Sequence, residues 1–94
     1  MENEQLYKQI IKKFGNQKQI IKTIEELSEL QKDLCKFLLY QSPLELQRHM
    51  ENVAGEIADV EIMLNQLKIM FAPGMPELVE TMKSQKHERM LKLL

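Results

Sequence analysis

Three groups of helix-breaking and helix-starting residues, FGN at 14–16, QSP at 41–43 and APGMP at 72–76, constrain this chain more than any other feature. They divide it into four helical runs. The first is expected from about Glu4 to Phe14, with Gly15 where a left-handed C-terminal cap favours glycine. The second runs from about Gln17 to Tyr40. The third has Ser42 as its N-cap, Pro43 at the first helical position and Glu45 at the third, and continues to about Phe71. The fourth, from about Pro76 to Leu93, opens with the same proline-then-acid order. No segment alternates apolar and polar residues with period two over a useful length, so no strands are expected. The predicted fold class is all-α: one domain over 1–94, a small four-helix, bundle-like subunit with two long antiparallel central helices.

Composition narrows the partners. A chain of 94 residues with 44% hydrophobic and 29% charged residues should fold as a single small globular domain. Its formal charge of -1 offers no basic footprint for nucleic acid. No window approaches the roughly 18 consecutive apolar residues of a membrane span, and MENEQLYKQ lacks the basic and apolar regions of a signal peptide. A cytoplasmic location is therefore expected. The single cysteine, Cys35, sits within an apolar helical pattern and reads as a small buried hydrophobe in a reducing compartment.

The third helix carries the first chemical signal. At about 100° per residue from Val53, the side chains of Ile57, Val60, Leu64 and Phe71 fall within about 40° of one another's stripe centre. Leu67, Met63 and Met70 extend that stripe, while Ile62 and Ile69 lie nearly opposite. A helix apolar almost all round is buried on most sides, by its own chain or by a second subunit. Glu56 and Asp59 nevertheless fall inside the apolar arc, at about 300° and 240°. Unpartnered carboxylates there cost several kcal/mol and repel each other.

The second helix supplies a matching half in IEELSELQKDL. Its expected core stripe is Ile20, Ile24, Leu27, Leu34 and Leu38, with Leu30 and Phe37 on one flank. Glu26 borders that flank and Glu29 lies about 60° further round. If two antiparallel helices present acids at i and i+3 on facing flanks, Glu26, Glu29, Glu56 and Asp59 converge. Oxygen-only ligation suits a hard divalent cation, Mg²⁺ first and Mn²⁺ second, rather than zinc. The plainer alternative is a solvated acidic face, with pairs such as Glu29 with Lys32 or Glu25 with Lys22 worth a few tenths of a kcal/mol.

EELSE at 25–29 followed by EIAD at 56–59 resembles the EExxE and ExxD signature of the MazG-like all-α nucleoside triphosphate pyrophosphohydrolases, a group related to the dimeric dUTPases. The similarity extends to KFGNQKQIIKTIEELSELQKDLCKFL and ENVAGEIADVEIMLNQLK, which look like the short MazG-like proteins of Gram-positive bacteria and their phages and cover about half the chain. The resemblance implies Mg²⁺ held by Glu26, Glu29, Glu56 and Asp59. Glu25 would position the attacking water, support the site or join a second metal. It also implies cleavage between the α and β phosphates of a nucleoside triphosphate, giving the monophosphate and pyrophosphate. Such an enzyme would work as a homodimer or homotetramer.

Substrate phosphates also need cations. Lys83, Lys86 and Arg89 recur at helical spacing near the C-terminus, and Lys32 and Lys36 accompany the acids, although an exposed basic face is the plainer use of the terminal set. His49 and His87 lie in polar surroundings and read as surface residues. Neither has an acid three residues before it, which excludes a ferritin-like di-iron site. Of the seven methionines, Met63, Met70, Met75 and Met82 suit core gap-filling better than a base pocket. Two rivals stand beside the pyrophosphohydrolase. One is a non-catalytic helical interaction protein that retains the fold. The other is an enzyme acting on a different phosphorylated compound.

Overall fold

The structure is a computed structural model, and it describes residues 3–39 and 42–94. All of its regular structure is helical: α1 (Glu4–Phe14), α2 (Asn16–Phe37), α3 (Pro43–Met70) and α4 (Met75–Leu91), with no strand among the described residues. The Ser42 hydroxyl accepts from the Glu45 N–H at 3.2 Å, with Pro43 in the first turn, as the motif requires. Gly15 takes φ 89° and ψ 155°, outside the left-handed helical well, while its N–H still closes α1 on the Ile11 carbonyl. Its positive φ lets α2 start one residue later, at Asn16. The second helix ends at Phe37, earlier than expected, with Leu38 and Leu39 in a turn; Tyr40 and Gln41 lie outside the described residues. No helix among the described residues is long and apolar enough to cross a membrane.

The α2–α3 hairpin is the frame. Near one end Gln19 Nε2 donates to Gln66 Oε1 at 2.7 Å, and near the other His49 Nε2–H donates to the Asp33 carbonyl. These two bonds fix an antiparallel register. Midway between Gln19 and Asp33 stands Glu26, which that register sets opposite the Glu56–Asp59 turn of α3. The facing residues recur three and four apart, as in an antiparallel coiled coil: Gln19, Thr23, Glu26, Leu30 and Asp33 against His49, Val53, Glu56, Val60 and Met63. All are buried or half-buried.

This seam corrects several sequence expectations. Its α2 side is largely polar, and buried Gln19 and Thr23 each find a partner there: the Thr23 hydroxyl, 3% exposed, donates to the Gln19 carbonyl at 2.8 Å. The expected α2 core stripe is continuous but lies beside the seam, so Ile24, Leu27, Leu34 and Leu38 are exposed, Ile24 to 58%. On α3, Val53, Val60 and Met63 are buried as expected, whereas Ile57, Leu64 and Phe71 are exposed. Cys35 is exposed, because it follows the uncovered side of α2. His49 is buried to 3% exposure rather than lying on the surface, stacked on Phe37 with ring centroids 6.3 Å apart. His87 is exposed.

Helical geometry makes the hairpin two-faced. Ile24, Leu27 and Leu34 lie about 60–140° round α2 from the seam, and Met50, Ile57 and Leu64 about 60–100° round α3. Equivalent flanks of antiparallel helices share one side, so these six exposed apolar residues form one face. The opposite flank carries Lys22, Glu25 and Glu29 of α2 and Asp59 of α3. α1 packs on both hairpin helices through buried Tyr7, and α4 packs on α3 alone among the described residues.

Candidate functional site

Glu26, Glu56 and Asp59 come together because the antiparallel register and the three-residue spacing on α3 leave them no separate surfaces. One carboxylate oxygen from each lies within 4.8 Å of the other two. Glu26 and Glu56 hold seam positions and are half-buried, whereas Asp59 is exposed on the charged flank. Oxygens around one Mg²⁺ at about 2.1 Å are about 3 Å apart when adjacent and about 4.2 Å when opposite. Small side-chain rotations would bring the three oxygens to that spacing.

The surroundings are electrostatically unbalanced. Glu56 Oε2 is closed to solvent and has no hydrogen-bond partner. Burial, followed by the charges of Glu26, Asp33, Asp59 and Glu29, pushes the Glu56 carboxyl above its ordinary range. A buried carboxylate oxygen with neither proton donor nor cation carries its full desolvation cost, and a shared hard cation would offset it. Lys22 stands at the rim, its Nζ 3.0 Å from Glu26 Oε1. The ion pair with Glu26 raises the Lys22 pKa, with weaker support from Glu25 and Asp59. The carboxylate chemistry and spacing fit an oxygen-ligated divalent cation.

The other expected residues divide into near and distant groups. Glu29 lines the same acidic pocket as Glu56 and Asp59 but stands outside the converging trio. Glu25, about 100° round from Glu26, lines a different and mostly apolar groove with Ile10, Phe14, Ile21 and Lys22. Lys32 and Lys36 are exposed and do not line the acidic pocket. Lys83 pairs with Glu80 at 3.6 Å and adjoins Glu61, Asn65 and Lys68, on the flank of α3 away from the acids. Lys86 and Arg89 are exposed on the distal half of α4. The Glu25–Lys22 pair anticipated from sequence is replaced by Glu26–Lys22.

Sequence reasoning missed Asp33, Glu51 and Asn52, which line the acidic pocket. Asp33 was within reach, since it continues the Glu26–Glu29 line by one further helical turn. Comparisons with models of protein families, with curated proteins and with solved structures give no match, so the chemistry assigned to this cluster rests on its own geometry.

Proposed function

We propose that this protein is a Mg²⁺-dependent nucleoside triphosphate pyrophosphohydrolase of MazG-like type, working as a homo-oligomer. One observation carries the reading: Glu26, Glu56 and Asp59 converge from two helices, and one oxygen of Glu56 is buried and unpartnered. Glu26, Glu56 and Asp59 hold the cation, and Glu29 completes the oxygen set from the same pocket. When bound, the divalent ion shields phosphate charge and holds the anhydride for in-line attack. Glu25, outside the trio but one residue from Glu26, orients the attacking water at the edge of the apolar groove. Lys22 lines the groove and pairs with Glu26 of the trio, so a ligand with an apolar ring in the groove and a charged tail directed toward the acids suits this arrangement.

The oligomer rests on the apolar face of the hairpin. Ile24, Leu27, Leu34, Met50, Ile57 and Leu64 stay exposed on one side, an apolar face of the kind that marks an interaction surface. A second copy presenting the same face closes a four-helix arrangement with twofold symmetry. The same face favours one other reading, a non-catalytic interaction protein that keeps the fold.

A panel of standard and modified nucleoside triphosphates with Mg²⁺, with products identified, separates these readings. The enzyme releases pyrophosphate and a nucleoside monophosphate from at least one of them, and Glu56→Gln abolishes that release. Failure of every triphosphate in the panel sinks the enzymatic reading.

A further inference from the structure

The one cation docked on the carboxylate cluster among the described residues is the Lys22 ammonium. Its place is informative. Lys22 precedes Glu26 by four residues, and that lysine-before-acid order is the weaker orientation for an intrahelical pair. The Glu26 side chain is only 13% exposed, while the lysine stem reaches it from solvent at 52%. The oxygen that Lys22 binds belongs to a carboxylate that faces Glu56 and Asp59 across the hairpin. A divalent cation at the trio draws on the same carboxylate, and its double charge at close range repels the ammonium.

We infer that Lys22 is the exchangeable counter-ion of the carboxylate cluster, displaced from Glu26 by the divalent cation and thereby freed to take a phosphate oxygen of the ligand. The inference rests on the cation-site reading given above and adds a positioning residue to it. Lysine suits the task, being a flexible point charge that can swing between two anions without geometric demand. Because Lys22 both lines the apolar groove and pairs with Glu26 of the trio, the released ammonium would stand beside a polyphosphate reaching from the groove to the cation. Cation binding and phosphate capture are thus coupled through one side chain. Without the cation the ammonium stays on Glu26; with it, the ammonium becomes available.

The test uses the full chain, with Mn²⁺ alone and then with Mn²⁺ plus inorganic tripolyphosphate, comparing wild type, Lys22→Met and Lys22→Arg by titration calorimetry. Removing the competitor tightens Mn²⁺ binding in Lys22→Met by about two- to fivefold, the scale of a half-exposed ion pair. The same variant weakens tripolyphosphate binding to the Mn²⁺-loaded protein by about fivefold or more, the scale of one lost charge-assisted contact. Lys22→Arg stays near wild type in both. These opposed shifts are the signature, since an ordinary structural ion pair would move neither affinity in this way. Unchanged or weakened Mn²⁺ binding in Lys22→Met, with wild type binding Mn²⁺ normally, overturns the exchange while leaving the cation site standing. Wild type that binds no Mn²⁺ overturns the cation site and the exchange together. Far-ultraviolet circular dichroism checks that each variant is helical, as expected for a change at a half-exposed surface position.

Discussion

Breaking the Gln19–Gln66 bond by Gln66→Leu should unlock one end of the hairpin. Both amides are buried, at 8% and 4% exposure, and they meet at 2.7 Å across 47 residues of chain. Leucine is close enough in volume to fill the space, so the main loss is the partner of the Gln19 amide, left buried beside an apolar group. An unsatisfied buried polar group costs about 1–3 kcal/mol. For a domain near this size each kcal/mol moves Tm by about 4–8 °C, so the single variant should melt about 4–24 °C lower. Replacing both glutamines by leucine removes the donor and the acceptor together and should bring stability back near wild type. With the double variant near wild type, the coupling should equal the sum of the two single losses, about 2 kcal/mol or more. Thermal and urea unfolding followed by circular dichroism measure it, at one fixed protein concentration because association would shift the midpoint. The acids are two turns from this pair, so the double variant should keep its Mn²⁺ affinity. Single-variant losses that simply add, within about 0.5 kcal/mol, would refute the idea that the bond specifies the register.

Other outcomes follow from the site and from the uncovered face. A tenfold excess of Mn²⁺ over its Kd should stabilise the folded state by about 1.4 kcal/mol, raising Tm by about 6–11 °C, and Glu56→Gln should abolish that rise in a scanning-fluorimetry titration. The raised Glu56 pKa means the folded protein binds this proton more tightly than the unfolded chain does. Its contribution is therefore fully present below the ordinary glutamate pKa and is lost as pH rises through the raised value. Metal-free Glu56→Gln should lack that loss and melt higher than wild type at neutral pH, as a pH series of melting curves would reveal. Ile57→Lys, placing a charge at the centre of the apolar face, should shift sedimentation toward the monomer; an unchanged distribution would remove that face from the interface.

The sequence made the helices legible because their boundaries are local chemistry. Ser42, Pro43 and Glu45 start α3 by contacts within one turn, and Gly15 ends α1 by its own backbone freedom. Glu56 was legible for a different reason, since charge inside an apolar arc is costly wherever that arc points; Asp59, expected in the same arc, is instead exposed on the charged flank. What could not be read was which arc meets which helix. The strongest apolar stripe of α2 was expected to face α3, yet Gln19, Thr23 and Glu26 do so. Thr23 is satisfied by the Gln19 carbonyl one turn back and Glu26 pairs with Lys22, but Gln19 depends on a partner 47 positions away that no local pattern announces. His49 was misplaced for the same cause, because the Asp33 carbonyl that receives its proton belongs to another helix.

The polar seam and the apolar outer face follow from one constraint. A pair of helices that must bring carboxylates together cannot give its closest contact wholly to leucine and isoleucine. At Glu26 and Glu56 the seam gives up apolar burial, and with Asp59 these acids bring one oxygen each to within 4.8 Å of one another. The lost cohesion is restored at each end, by the Gln19–Gln66 bond and by His49 on Asp33 and Phe37. The displaced apolar side chains then line the side that a second copy would cover. On that account association should stabilise the hairpin against the repulsion of its own acids, so that a monomeric Ile57→Lys variant would bind Mn²⁺ more weakly than the parent, although the substituted residue lies on the flank away from the site. Equal Mn²⁺ affinity in the monomeric variant and the parent would separate the two features and leave the seam's polarity without this explanation.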